Sequence, residues 1–151
     1  MAAKYNAAII GLAMNESGVP KSAADRAALA MEIVVNADMH GIPMEDLYID
    51  PLMLPANVAQ EHGVEVIEAI RQIKALAPGV RTTMGLSNAS QRCTNRHLIN
   101  RTFLIMSMAC GLDSAIADVD DPELVNAVAA ANLFLNKEIY CDSFLKTFRQ
   151  R

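Results

Sequence analysis

Positive charge is sparse in this sequence, and nowhere do Lys or Arg gather into a block. Seventeen acids against thirteen bases leave a net charge of −4 over 151 residues. A protein that holds a polyanion displaces counterions with several clustered cations, so nucleic-acid binding is not expected. Long apolar runs are also missing: none approaches the ~20 residues of a membrane span. The opening Met1-Ala-Ala-Lys4-Tyr5 carries no secretory apolar segment. The expectation is a cytoplasmic protein without membrane contact. Cysteine is scarce, and Cys93, Cys110 and Cys141 are odd in number and widely spaced. With His40, His62 and His97 isolated from one another, a disulfide framework or a tetrahedral zinc site is disfavoured. Each cysteine reads instead as a small hydrophobe. The Gly-x-Gly-x-x-Gly fingerprint, the P-loop and the Gly-x-Ser-x-Gly elbow are absent, which removes the usual support for nicotinamide, nucleotide and serine-hydrolase chemistry.

What the chain does have is apolar surface. Apolar residues make up 52%, above the ~45–50% of ordinary globular proteins. A length of 151 residues suits a single domain spanning 1–151. The order of elements reads as strand then helix, about four times. Ala7 to Met14 is a continuous apolar run, expected to be a strand buried on both faces. Ser22 and Asp25 then form a capping pair for an Ala-rich helix reaching about His40. Leu47 to Asp50 is a second strand, ended by Pro51, and a helix follows with Ile67, Ile70, Ile73 and Leu76 near one face. Val80 to Leu86 is the third strand and Leu98 to Cys110 the next helix. Ser114 to Asp118 is the fourth strand, and Asp121-Pro122-Glu123 opens a helix to about Asn136. A final amphipathic helix carries Tyr140, Phe144, Leu145 and Phe148. Such alternation makes a parallel sheet. It fits an open doubly wound sheet or part of a (β/α)8 barrel; a full barrel takes ~250 residues.

Polar residues fall where the strands stop. Asn15, Asp50, Asn88 and Asp118 each follow an apolar segment. In parallel α/β folds the C-terminal strand ends converge on the face where ligands bind. Asp and Asn also end strands simply because they favour turns, so the pattern gains weight from four occurrences rather than from any one. These groups suit hydrogen-bond recognition: a carboxylate accepts two parallel N–H bonds, and an amide both donates and accepts. The polar loop Ser87-Asn-Ala-Ser-Gln91-Arg-Cys-Thr-Asn-Arg96 adds more such groups and two guanidiniums. The acids Asp118, Asp120, Asp121 and Glu123 read as a helix start rather than as a cation site.

Five segments carry a resemblance: Tyr48-Ile-Asp-Pro-Leu-Met-Leu-Pro55, Gly85-Leu-Ser-Asn-Ala-Ser-Gln91, Leu98-Ile-Asn-Arg-Thr-Phe103, Met108-Ala-Cys-Gly-Leu-Asp113 and Tyr140-Cys-Asp-Ser-Phe144. In that order they resemble the methyltetrahydrofolate:corrinoid/iron–sulfur protein methyltransferases of the pterin-binding barrel superfamily. The resemblance implies the C-terminal half of a (β/α)8 TIM barrel, with about four parallel strands alternating with helices plus a C-terminal helix. It implies that Asp50 hydrogen-bonds the pterin, that Asn88 reaches N5, and that Gln91 and Arg96 make further folate contacts. Asn15 and Asp118 are added from strand geometry alone. The implied reaction moves the N5-methyl group of methyltetrahydrofolate, the methyl donor, to the cobalt of a corrinoid carried by a corrinoid/iron–sulfur protein. No metal bound by this chain is required. The family's early-strand motifs, with an Asp and an Asn that hold the pterin, have no counterpart. A homodimer or a complementary N-terminal half-barrel is therefore expected, since half a barrel leaves two unpaired strand edges. The competing expectation is a non-catalytic fragment or a half-barrel interaction module.

Overall fold

A computed structural model of the chain describes residues 1–140. After a short helix α1 (Ala2–Tyr5), strand β1 (Ile9–Leu12) leads to helix α2 (Ala23–Met39) and strand β2 (Leu47–Asp50). Helices α3 (Ala56–Ala59) and α4 (His62–Lys74) connect β2 to strand β3 (Arg81–Thr82), and α5 (Arg96–Ala109) and α6 (Pro122–Phe134) follow. The strands are parallel in the order β1-β2-β3, with Leu12 opposite Asp50 and Tyr48 opposite Arg81. This is an α/β arrangement compatible with part of a barrel.

The fourth strand expected at Ser114 to Asp118 is reduced to one parallel bridge, Gly85 to Ile116. The backbone ladder is nevertheless begun. Ile116 donates to the Met84 carbonyl at 2.8 Å, and Leu86 donates to the Ile116 carbonyl at 3.0 Å. The ladder stops because the chain leaves extended geometry at Leu86, where a 3-10 turn (Leu86–Asn88) begins. The third strand, Arg81–Thr82, is shorter than the expected Val80 to Leu86, although the Thr83 N–H still donates to the Ile49 carbonyl at 3.0 Å. The expected C-terminal helix from Tyr140 to Phe148 lies, after its first residue, outside the described residues, as does Cys141.

Side chains alternate across a strand, and here the two sheet faces differ completely. Leu47 and Ile49 of β2 join Ala30, Val34, Ile73 and Val80 in one core between sheet and helices. Met84 and Leu86 join Val66, Ile70, Phe103 and Leu104 in a second. Gly11 lets β1 approach α2 closely, because a Cβ there would meet the Ile33 Cγ2 at 2.7 Å. The opposite face carries Ile10, Leu12, Tyr48, Asp50, Arg81, Thr83, Gly85 and Ile116; it is buried at its centre, where Thr83 and Asp50 lie, and open at β1 and at Ile116. Ile10 is 49% exposed, Leu12 45% and Ile116 67%. This corrects the expectation that the first strand is buried on both faces: it is an edge strand with helices on one side only.

Helix starts follow the capping chemistry expected. Ser22 accepts from the Asp25 N–H at α2, and Asp121 accepts from the Glu123 and Leu124 N–H groups at α6. No helix among the described residues is long and apolar enough to cross a membrane.

Candidate functional site

Asp50 ends β2 on the sheet face turned away from the helices. It is 9% exposed, and its Oδ1 accepts from the Leu52 N–H at 2.8 Å. Burial pushes its pKa above the ordinary carboxylate range, while the Leu52 and Gly85 backbone N–H groups pull it partly back. No cation pairs with this carboxylate among the described residues.

Asn88 closes the 3-10 turn that follows β3, and its backbone N–H donates to the Gly85 carbonyl at 3.2 Å. The turn folds the amide back over the strand end. A Cβ at Gly85 would lie 3.1 Å from Asn88 Nδ2, so glycine there leaves the amide its place. Gly85 is thus the meeting point: its N–H faces Asp50 and its Cα lies under Asn88. The Asn88 side chain is exposed and makes no hydrogen bond to the described residues. A buried carboxylate with spare acceptor capacity and an unspent amide therefore share one place at the C-terminal end of the sheet.

The other residues singled out in the sequence divide into two groups. Gln91 lies on the loop just after this turn, exposed. Arg96 begins α5, and its Nε donates to Ser90 Oγ at 3.2 Å. Arg96 and Asp118 line one cavity of about 320 Å³, together with Ser87, His97, Asn100 and Asp121. That cavity adjoins the Asn88 turn through Leu86 and Ser87. Asp118 also accepts from the Asp120 N–H at 3.0 Å. Asn15 is not drawn in. Its Oδ1 accepts from the Ser17 N–H at 2.9 Å and its backbone pairs with Gly18, so it closes its own turn.

Two groups next to the site were not singled out in the sequence. Arg26 and His62 are buried behind the residue after Asp50. A signal for Arg26 existed. Ala23, Arg26, Ala30, Val34 and Ala37 are the buried positions of α2, and their spacing puts a cation on the apolar stripe.

Comparison with known proteins adds a second line of observation. The chain is 26% identical over 142 residues to the methylcorrinoid:tetrahydrofolate methyltransferase of Eubacterium limosum, covering 94% of this chain and 52% of that protein. It is 33% identical over 123 residues to the methionine synthase of Mycobacterium tuberculosis, covering 77% of this chain and 10% of that protein. The methionine synthase of Mycobacterium leprae is 32% identical over the same length. The chain is related to these proteins. It spans about half the length of the first and a tenth of the methionine synthases. No family model matches it.

Proposed function

We propose that this chain supplies the C-terminal half of a folate site, on half of a (β/α)8 barrel, in a methyltransferase that works between tetrahydrofolate and a corrinoid protein. The observation that carries this reading is the meeting of Asp50 and Asn88 over Gly85. The relatives' names supply the chemistry that such a site would serve. A pterin presents adjacent N–H donors along its 2-amino-4-oxo edge. The buried Asp50 carboxylate accepts them more strongly than an exposed one, because little water competes. Asn88 then stands toward N5. Gln91 and, across the adjoining cavity, Arg96 and Asp118 contact the rest of the folate.

The corrinoid, held by a partner protein, supplies a cobalt nucleophile for the N5-methyl group. As the C–N bond breaks, its electron pair stays on nitrogen and a proton is taken up there. N5 is a poor leaving group until it is hydrogen-bonded or protonated. Asn88 contributes by interacting more strongly with N5 in the transition state than in the ground state. An amide serves either direction, since it both donates and accepts. The relative from Eubacterium limosum is named for the direction from methylcorrinoid to tetrahydrofolate.

In this reading the rest of the site is provided by a complementary N-terminal half-barrel or by a second copy, and the exposure of Ile10 and Leu12 on the edge strand β1 supports it. The same observation favours a second reading, a half-barrel module whose role is association alone. Titration of methyltetrahydrofolate into the chain, with Asn88→Ala assayed for methyl transfer to a corrinoid acceptor, separates the two. The site reading expects saturable binding and a kcat reduced by about 100-fold in the variant. Unchanged turnover removes Asn88 from the mechanism, and no binding, with or without a complementary half, favours the module.

A further inference from the structure

On the helix side of Asp50 lies a cation that the methyl-transfer reading does not use. Arg26, in the first turn of α2, is 0% exposed. Each of its three nitrogens has an acceptor at 2.8 Å: Nε the Pro51 carbonyl, Nη1 the Lys21 carbonyl, and Nη2 the Nδ1 of His62. A guanidinium only donates, so His62 is the acceptor here, at Nδ1. No carboxylate pairs with Arg26 among the described residues. Glu65 acts on it from a distance, and its own carboxylate accepts from the Ala23 N–H at 2.6 Å. Burying a charge without a direct counterion is unfavourable, which directs attention to what the charge holds.

It holds the carbonyl of Pro51, the neighbour of Asp50. The following residue, Leu52, sits at φ +61°, and from there its N–H donates to the Asp50 carboxylate. A branched side chain in that conformation persists only where its surroundings over-determine it. The clamp on Pro51 is such a constraint. It draws on two helices at once, because Arg26 comes from α2 and His62 from the start of α4. A lysine has no planar fork to meet three acceptors in fixed directions.

We propose that Arg26 is a positioning residue for Asp50: by clamping the Pro51 carbonyl against α2 and α4, it holds the Asp50-Pro51-Leu52 turn so that the carboxylate faces a ligand's paired N–H groups. The proposal rests on the assignment of Asp50 as the ligand acceptor, and its test has one arm that does not.

In the free chain, amide hydrogen exchange is compared in wild type, Arg26→Lys and Arg26→Gln. Exchange at Leu52 is expected to accelerate roughly tenfold more than at Ile70 and Ile73 of the core. Uniform acceleration, or an unchanged Leu52 in a folded variant, overturns the clamp; Arg26→Lys serves where the neutral variant does not fold. In the second arm, methyltetrahydrofolate affinity is measured for Arg26→Lys, Asp50→Asn and the double variant. The lysine variant is expected to bind about tenfold more weakly, and the double variant no more weakly than Asp50→Asn alone. Additive losses overturn the coupling through Asp50. A wild-type chain that fails to bind the folate even with its complementary half removes the Asp50 assignment, and the exchange arm still decides whether Arg26 holds the turn.

Discussion

The tip of β2 and the start of α6 each present a buried carboxylate, and the two are spent in opposite ways. Asp121 caps α6 through the Glu123 and Leu124 N–H groups, receives both Nε and Nη2 of Arg101, and accepts from His97 Nδ1 at 3.1 Å. Led by the Arg101 bonds, these partners hold its pKa far below the ordinary carboxylate range, against an opposing desolvation. Among the described residues Asp50 has only backbone N–H partners and no cation, and burial holds its pKa above that range. One carboxylate is satisfied by the fold. The other is left to be satisfied by something else, at the sheet end where parallel α/β folds bind ligands.

The contrast predicts a crossed pattern of mutant effects. The largest is in binding: Asp50→Asn should weaken methyltetrahydrofolate by roughly 10- to 100-fold, the worth of hydrogen bonds to a charged acceptor. Thermal stability at neutral pH should rise in the same variant, because the desolvated charge is removed. Equal loss of binding and stability would place Asp50 with the structural carboxylates. Asp121→Ala should move stability the other way, lowering the melting temperature by roughly 5 °C through loss of the α6 cap and the Arg101 pair.

Acid sharpens the comparison further. Asp121 has a depressed pKa in the folded chain, so its stabilisation is complete above the ordinary carboxylate pKa and is lost as pH falls below it. Asp50 has a raised pKa, so its ionised form destabilises the fold at neutral pH, and that effect is relieved as pH falls through its folded pKa. Folate affinity should therefore begin to weaken on acidification above the ordinary carboxylate range, before Asp121-dependent stability is lost. Isothermal titration alongside thermal melts across this range checks the order. The smallest effect belongs to Asn15→Ala, which should change affinity by less than about twofold, since the side chain serves its own turn.

Much of the arrangement was legible from local chemistry. Leu47 to Asp50 with Pro51 behind it, Ser22 with Asp25, and Asp121 with Pro122 all appear at the expected places. These signals depend on neighbours within a few residues, which the chain itself supplies. The fate of the polar strand ends was not legible in that way. Asn15 and Asn88 are the same residue type after apolar segments, yet the side chain of one is bonded to the Ser17 N–H and that of the other has no hydrogen bond among the described residues. The difference comes from the 3-10 turn at Leu86–Asn88 and from Gly85 beneath it. The exposure of β1 within the apolar run Ala7 to Met14 has a related reason: an apolar run does not tell how many layers will cover it.

By itself the amino-acid order determined the alternation of strands and helices, the helix starts, and the positions where carboxylates and amides could stand, because propensity, capping and periodicity act over short stretches. Tertiary structure alone decided which carboxylate would be paired with a guanidinium and which, among the described residues, would have backbone partners only. It also brought Arg26 against Pro51, the residue that follows Asp50 and lies 25 positions downstream. Those outcomes depend on contacts between segments far apart in the chain, where burial and geometry, rather than residue type, set the energy of a charge.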